Sequence, residues 1–316
     1  MLTKSYTAAD TFPWKLLRHE TAVANGAIRP VHLQLIPTNR CNGGCRWCSC
    51  AEVNRSESLE TDEMGDILRY FAALGTKAVT FTGGGEPTLH SGLIETIALA
   101  RSLDMEVGLV TNGLEWSEKT RRQLAAADAM LRWARLSVVR PEGPYETDRI
   151  VRFADNLPSV DVGVSFTVTA AADCHLAAAV CRAAAKAENV THVRFVQDIL
   201  HPNSLAFRRV QEACAAVSRK AVFQKRDRDV PGTNRCLISR LRPLVGADGH
   251  VYPCCGVQYA VDPPPRKLPI ECRACHWSQF HLAPPFDGSP CRRCSYAAYN
   301  ELLAGMMVEV RHKRFV

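Results

Sequence analysis

The chain has 316 residues, of which 47% are hydrophobic and 22% are charged, and its formal net charge is +7. A chain of this length can bury its own core, so its 14 cysteines argue against a small disulfide scaffold and in favour of thiolate ligands in a reducing compartment. No apolar run reaches the roughly 18 residues needed to cross a membrane, and residues 1–11 lack the apolar core of a signal peptide, so we expect a cytoplasmic protein.

The first motif follows a lead-in, residues 1–30, and an apolar run that predicts a strand over Val31 to Ile36. Cys41, Cys45 and Cys48 stand directly after it with the spacing C-x3-C-x2-C. Three thiolates on one short loop can hold three irons of a cubane cluster, which leaves the fourth iron open to bind another ligand. An open metal position is where chemistry takes place.

This loop resembles the motif of the radical S-adenosylmethionine (SAM) superfamily. Trp47 fills the aromatic position before the last cysteine, and Thr38-Asn39 is similar to the usual lead-in. The resemblance implies a 4Fe-4S cluster whose open iron binds SAM. Electron transfer to SAM then gives methionine and a 5'-deoxyadenosyl radical, with flavodoxin or ferredoxin as the expected reductant, while the protein orients the reactants.

A glycine motif follows the next predicted strand, Ala78 to Phe81. Glycines let the backbone approach a ligand closely, and a neighbouring acid can pair with an ammonium group. Gly83, Gly84, Gly85 and Glu86 resemble the family's Gly-Gly-Glu element, which implies contacts with the SAM amino group, chiefly from Glu86.

Strands and helices alternate over the first two-thirds of the chain. Four more strands are predicted at Val107 to Val110, Leu136 to Val139, Val162 to Val168 and Val193 to Val196. Helices are predicted at Thr61 to Leu74 (capped by Thr61, with Gly75 after its end), Ser91 to Leu103, Ser117 to Ala126, Asp148 to Ala154, Ala171 to Ala187 and Ser204 to Ser218. This alternation predicts an α/β fold with a parallel sheet, and by resemblance a partial (β/α)6 TIM-like barrel over residues 31–228. The lead-in, with Trp14 and Lys15, is expected to cover the barrel's open side.

Ligand groups should gather at the carboxyl ends of such strands. Asn112 in Thr111-Asn112-Gly113 and Ser137 on the fourth strand match family positions for SAM binding. Val139 replaces the acid that relatives often carry, and Arg140 could pair with the methionine carboxylate instead. Ser165, Thr167, Gln197 and Asp198 either face adenosine or substrate or simply cap their strands.

Regular periodicity fades after residue 228, which predicts a cysteine-rich module over residues 229–316. Gly246 to Cys254 predicts a β-hairpin with its turn at Asp248-Gly249. The hairpin and its flanking cysteines resemble the SPASM and Twitch extensions of radical SAM proteins, which hold auxiliary 4Fe-4S clusters. A Twitch-like ligand set would be Cys236, Cys254, Cys291 and Cys294.

Two alternatives for the remaining cysteines stay open. Cys255, Cys272 and Cys275 could hold a second, three-ligand cluster. Alternatively, Cys272, Cys275, Cys291 and Cys294 have the spacing of a structural zinc site. Cys50, Cys174, Cys181 and Cys214 are expected to be small buried hydrophobes or bystanders.

Basic clusters favour a phosphate-bearing partner or nucleic acid, or else form solvated faces. They are Arg208-Arg209, Arg219-Lys220, Lys225-Arg226, Arg228 and Arg311 to Arg314.

The resemblance predicts an oxidoreductase or isomerase that abstracts a substrate hydrogen atom and then oxidises or rearranges the product radical. The alternatives are modification of a nucleoside or nucleic-acid base, and a structural metal-binding interaction protein. Tyr252, Cys255 and Asp198 are candidates for a radical quencher or general base.

Overall fold

The fold is that of a computed structural model, which describes residues 11–19, 22–24, 27–139, 145–171, 173–225, 230–261 and 264–308. Within these ranges, a single ten-stranded sheet organises the chain, together with a separate two-stranded ribbon. The predicted α/β class and the parallel barrel sheet are confirmed. Arg140, Arg226, Arg228 and Arg311 to Arg314 lie outside the described residues.

The lead-in forms a short helix and a ribbon: α1 (Phe12–Leu17), β1 (Val23–Ala24) and β2 (Ala27–Ile28). Leu16 packs against Leu237 and Leu241, and the rings of Phe12 and Tyr299 lie 4.1 Å apart. Lys15 lines the barrel cavity, whereas Trp14 is 73% exposed. Burial lowers the pKa of His19, and the nearby Glu106 carboxylate, at the first residue of its strand, opposes that shift, so His19 lies close to the amino end of that strand.

The barrel consists of six strand-helix units and a seventh parallel strand. Its elements are β3 (His32–Leu35), α2 (Thr61–Ala73), β4 (Ala78–Phe81), α3 (Leu93–Ser102), β5 (Glu106–Thr111), α4 (Glu118–Ala127), β6 (Leu131–Ser137), α5 (Asp148–Asp155), β7 (Asp161–Val168), α6 (Cys174–Ala185), β8 (Val190–Gln197), α7 (Ser204–Ala215) and β9 (Ala221–Gln224). All six predicted strands and helices are present. The prediction missed β9 and the first residues of β6 and β8.

The helix α2 begins differently from the prediction. Its N-cap is Glu60, without a side-chain capping bond, and Thr61 is already helical. Thr61 instead packs against Gly92, where an added Cβ would lie 2.1 Å from Thr61 Oγ1. Gly75 follows the helix end with φ +98°, as a left-handed helix stop requires.

The C-terminal part continues the same sheet. Its elements are α8 (Ile238–Leu241), β10 (Leu244–Val245), β11 (His250–Tyr252), β12 (Cys275–His276) and α9 (Ala297–Met306). β10 pairs in parallel with β3, so the strand order is β12-β11-β10-β3-β4-β5-β6-β7-β8-β9. The predicted hairpin is confirmed: β10 and β11 are antiparallel, and Gly249 at the turn has φ +71°.

The main core lies between the outer face of the sheet and the helices. Leu33, Leu35, Phe81, Val164 and Phe195 are each inaccessible to solvent there. Because side chains alternate along a strand, the intervening residues face the lumen of the barrel. Among the described helices, none is both long and apolar enough to cross a bilayer.

Candidate functional site

The cysteine loop is fixed at its start by buried polar residues. Thr38 and Asn39 are 0% and 5% exposed, and the Asn39 amide donates to the Glu57 carboxylate at 2.9 Å. Arg55 donates to the Asn39 carbonyl at 2.9 Å. These bonds anchor the backbone immediately before Cys41, so the three cysteines project from a defined position beside the end of β3.

Backbone N–H groups point at two of the three sulfurs. The Gly43 N–H donates to Cys41 Sγ at 3.4 Å, and the Cys50 N–H donates to Cys48 Sγ at 3.3 Å. Such bonds favour the thiolate form that binds iron and influence the potential of a cluster. The donor set and its N–H partners therefore fit an iron-sulfur cluster.

Burial, together with negative charge on Cys48 and Cys41, raises the pKa of the Cys45 thiol to about 11. Burial also raises the pKa of Cys41, while the Gly43 N–H opposes that rise. Three thiolates gathered on one loop repel one another unless a cation neutralises them. Metal binding would supply that charge.

The glycine turn packs closely against the start of the cysteine loop. A Cβ on Gly84 would lie 2.0 Å from Asn39 Oδ1, and a Cβ on Gly85 would lie 2.0 Å from the Arg40 carbonyl. Two backbone bonds join the segments, from Gly85 N–H to Thr38 at 3.1 Å and from Glu86 N–H to Arg40 at 2.7 Å. Only glycine permits this approach.

Glu86 joins the glycine turn to the end of β5. Its carboxylate is 2% exposed and accepts bonds from the Thr111 hydroxyl at 2.6 Å and the Asn112 N–H at 2.7 Å. The Thr88 N–H and hydroxyl donate to it at 3.1 and 2.8 Å. Burial raises the pKa of Glu86 and these bonds oppose the rise. Glu86 thus has a structural role that the sequence did not suggest, beside its predicted contact with SAM.

Asn112 connects β5 to the cysteine loop. Its amide donates to Asn42 Oδ1 at 2.9 Å and to Cys41 Sγ at 3.8 Å. Its Oδ1 accepts the Leu114 N–H at 2.8 Å. The two predicted SAM-binding elements and the cysteine loop therefore meet at one edge of the sheet.

A cavity of about 2200 Å³ extends from this edge through the lumen. Cys45, Trp47 and Cys48 line it. So do the residues predicted at the strand ends: Ser137, Val139, Ser165, Thr167, Gln197 and Asp198. The barrel thus has room for a cofactor and a substrate beside the cysteine loop.

The four cysteines of the Twitch-like set surround a second, small cavity of about 20 Å³. Cys236, Cys254, Cys291 and Cys294 all line it. The Asn300 amide of α9 donates to Cys236 Sγ at 3.9 Å and to Cys294 Sγ at 4.0 Å. Burial raises the pKa of Cys291 to about 12, with further contributions from Cys272, Cys236 and Cys294. Four thiols and a donor to two of them fit a four-ligand cluster.

The other cysteines are dispersed. Cys272 is buried in a small cluster with Ile36 and Leu244, whereas Cys275 packs against the main core. Cys255 lines the large cavity, and its sulfur lies 3.0 Å from the Tyr296 hydroxyl. The structure therefore does not bring Cys255, Cys272 and Cys275 together. In the described ranges, no three Cys, His, Asp or Glu side chains are close enough to hold a single metal ion.

The three candidates for a radical quencher or general base lie in different places. Cys255 and Asp198 line the large cavity. Tyr252 is 2% exposed and donates its hydroxyl to Asp248 at 2.8 Å, within the hairpin. Of the cysteines expected to be bystanders, Cys181 and Cys214 are fully buried, and Cys50 donates to Gln258 at 2.8 Å.

Basic residues have mixed roles. Arg208 and Arg209 are exposed on α7. Lys220 instead donates to the carbonyls of Ala184 at 3.2 Å and Ala187 at 3.1 Å, at the end of α6.

The sequence did not lead us to Asn300 or to the lumen residues Arg135, His192 and Arg194. The lumen residues could have been found from the sequence, because polar residues alternate with apolar ones along β6 and β8 and alternate residues of a strand face the same side of the sheet.

Part of this chain is similar to known proteins. Residues 35–162 match the description of the Radical SAM superfamily. PqqA peptide cyclase of Xanthomonas oryzae pv. oryzae (strain MAFF 311018) is 34% identical over 131 residues, which cover 41% of this chain and 34% of that protein. GTP 3',8-cyclase of Staphylococcus aureus (strain JH9) is 38% identical over 97 residues, covering 27% of this chain and 28% of that protein.

Among solved structures, Streptococcus suis SuiB bound to its precursor peptide SuiA has a similar fold. The TM-score is 0.57 at 13% identity, over 82% of this chain and 67% of that chain. The sequence matches span about a third of the length of the curated relatives, 34% and 28%.

Proposed function

We propose that the radical SAM domain carried by this chain, residues 35–162, is the catalytic part of an enzyme that cleaves SAM and abstracts a hydrogen atom from a substrate. The single observation that supports this most strongly is that three elements meet at one edge of the sheet: the cysteine loop, the glycine turn and the Thr111-Asn112 strand end. Of these elements, the cysteine loop also lines the large cavity, through Cys45, Trp47 and Cys48.

Cys41, Cys45 and Cys48 would hold a 4Fe-4S cluster, which supplies an electron to SAM and so generates the 5'-deoxyadenosyl radical. The chain's own residues position the reactants. The Gly83-Gly84-Gly85 backbone and Glu86 would bind the SAM amino group, while Asn112 holds the cysteine loop against β5. Ser137, which lines the cavity, would contact SAM from β6, and Arg140 remains a candidate for its carboxylate.

Cys236, Cys254, Cys291 and Cys294 would hold an auxiliary 4Fe-4S cluster. Because four cysteines form a complete ligand set, every iron would have a protein ligand and none would be open to substrate. Such a cluster is suited to accept an electron from the substrate radical. We therefore favour a net two-electron oxidation over isomerisation, with flavodoxin or ferredoxin as the external reductant.

The sequence matches cover only a third or less of each relative, so the substrate of this chain is itself a proposal. One relative's name refers to a peptide and the other's to a nucleotide, GTP. A cavity of about 2200 Å³ beside the cysteine loop suits either a small molecule or a peptide segment. A purely structural metal-binding protein would have no use for such a cavity lined by Cys45 and Cys48.

The test is anaerobic reconstitution with iron and sulfide, comparing the wild type with the Cys41/Cys45/Cys48→Ala variant. The wild type should hold about eight irons and form 5'-deoxyadenosine from SAM with dithionite, and the variant should hold about four and form none. Zinc in place of the residual iron would make the C-terminal site structural and favour rearrangement. A fully reconstituted wild type that does not cleave SAM would contradict the proposed function.

A further inference from the structure

The lumen of the barrel carries two rows of side chains on neighbouring strands. Parallel pairing aligns residues of β6, β7 and β8 within each row. The row nearer the carboxyl ends consists of Ser137, Ser165 and Arg194, and the row below it consists of Arg135, Gly163 and His192. All of these residues line the large cavity.

Arg194 and Ser165 form a cationic donor group in the upper row. Arg194 Nη2 donates to the Ser165 hydroxyl oxygen at 3.0 Å. A guanidinium presents several N–H groups in a plane, which matches the oxygens of a carboxylate or phosphate. The hydroxyl of Ser165 can rotate to donate to the same ligand.

His192 adds a buried polar atom to the lower row. Its side chain is 5% exposed, and its Nδ1 lies 2.9 Å from the Thr191 hydroxyl. Within the described part of the chain, Nε2 has no hydrogen-bond partner. The ring lies over Gly163, where a Cβ would be 2.6 Å from His192 Cε1. A buried nitrogen of this kind is expected to have a partner in the working protein.

The charges of the two rows are positive. Burial, followed by the charges of Arg135 and Arg194, lowers the pKa of His192 to about 4, so the imidazole is neutral at physiological pH. Among the described residues, the acids that line the cavity lie toward its ends: Glu106 and Asp161 begin β5 and β7, Asp198 follows β8, and Glu301 lies in α9. The middle of the lumen is therefore suited to an anion.

We infer that these two rows form a subsite for an oxyanion of the substrate, a carboxylate or a phosphate. Arg194 and Arg135 would supply its positive charge and Ser165 a hydroxyl. Because the Thr191 hydroxyl donates to the Val162 carbonyl, His192 Nδ1 carries the imidazole proton, and Nε2 would accept a hydrogen bond from a hydroxyl of the substrate. The inference rests on the proposed function, since it takes the cavity to be the place where substrate meets SAM. If this subsite exists, the substrate carries an anionic group, and that group lies inside the lumen of the barrel.

The test is calorimetric titration of the reconstituted, SAM-bound full chain with inorganic phosphate, pyrophosphate and glutarate. At least one probe should bind saturably, and the preferred probe distinguishes phosphate from carboxylate. Arg194→Gln and Arg135→Gln should each weaken that binding about tenfold or more, because each removes a charged donor. Arg208→Gln, at an exposed arginine of α7, should leave it unchanged.

Iron content identifies variants that misfold. If the arginine variants lose iron, Ser165→Ala serves instead, with binding weakened about threefold by loss of one hydroxyl. The formation of 5'-deoxyadenosine without substrate is measured in parallel, so loss of the oxyanion subsite can be told apart from failure of SAM cleavage. Three results would overturn the inference: no saturable binding of any probe, equal affinities in wild type and variants, or variants that lose affinity for SAM instead.

Discussion

The two cysteine sites of this chain differ in how they are assembled. Cys41, Cys45 and Cys48 lie on one continuous loop, and Cys45 and Cys48 open onto a cavity of about 2200 Å³. Cys236, Cys254 and the Cys291-Cys294 pair come from three segments of the chain and line a cavity of about 20 Å³. The first site is local and open, as binding of an exogenous ligand requires, whereas the second is non-local and closed by Asn300 of α9. The second should therefore contribute more to stability and the first more to chemistry.

The largest effect should follow from removal of one ligand of the closed site. Cys291→Ser should reduce the iron content of the reconstituted protein from about eight to about four, because serine is a poor ligand for an iron-sulfur cluster. Its melting temperature should also fall, since a bound cluster links segments that are distant in sequence. Metal analysis and anaerobic circular dichroism measure both changes.

The matched control for that change is Cys174→Ser, at the start of α6. It should retain the wild-type iron content. Full iron content in Cys291→Ser would show that Cys291 is no ligand and would remove the distinction between the two sites.

The open site should instead be sensitive to its glycine neighbours. Gly84→Ala places a methyl group 2.0 Å from Asn39 Oδ1, so the cysteine loop must shift. We expect loss of SAM cleavage and a destabilisation of about 1–3 kcal/mol, with auxiliary iron retained. Gly44→Ala, within the same loop but with no atom within 4 Å of its added Cβ, is the control and should stay active. Equal activity of the two variants would contradict the close packing.

Glu86→Gln tests the connection between the glycine turn and β5. An amide nitrogen cannot accept the bonds that the carboxylate receives from Thr111 or Asn112, so we expect a loss of about 2 kcal/mol. The melting temperature should fall by about 5 °C, and the exposed Glu52→Gln should have no effect. An additional decrease in SAM affinity would support the predicted contact with the amino group, and an unchanged melting temperature would rule out the structural role.

The smallest effect concerns acid stability of the barrel. The pKa of His192 is lowered from 6.5 to about 4, so the unfolded chain binds this proton more readily than the folded one. Stability is therefore complete above the unfolded pKa and decreases as the pH falls from 6.5 toward 4. Between about pH 7 and about pH 5.5, the wild type should lose about 1 kcal/mol more than His192→Gln does. Thermal melts at both pH values measure this, and identical losses would contradict the assignment.

The sequence was sufficient for the parts of the fold that depend on local pattern. Each of the six strand-helix units was predicted, because their outer-face residues, such as Val79 and Val164, form apolar runs. β6 and β8 were predicted too short because Arg132, Arg135 and His192 interrupt those runs. These polar residues line the cavity, so the prediction failed where the barrel faces its ligands.

Other features depend on contacts between distant residues. β10 has only two residues, and it becomes part of the sheet by pairing with β3, far away in sequence. Asn300 joins the C-terminal cysteine site through the packing of α8 against α9, for which no motif exists. The cysteine loop, by contrast, was evident from spacing because its ligands are adjacent in the chain.

The central claim is that only the loop of Cys41, Cys45 and Cys48 binds SAM. Electron paramagnetic resonance of the dithionite-reduced protein, recorded with and without SAM, tests it most directly. In the wild type, SAM should alter the signal of one cluster. In the Cys41/Cys45/Cys48→Ala variant, the remaining cluster signal should be identical with and without SAM. A SAM-dependent change in that variant would assign the open iron to the C-terminal site and contradict the account.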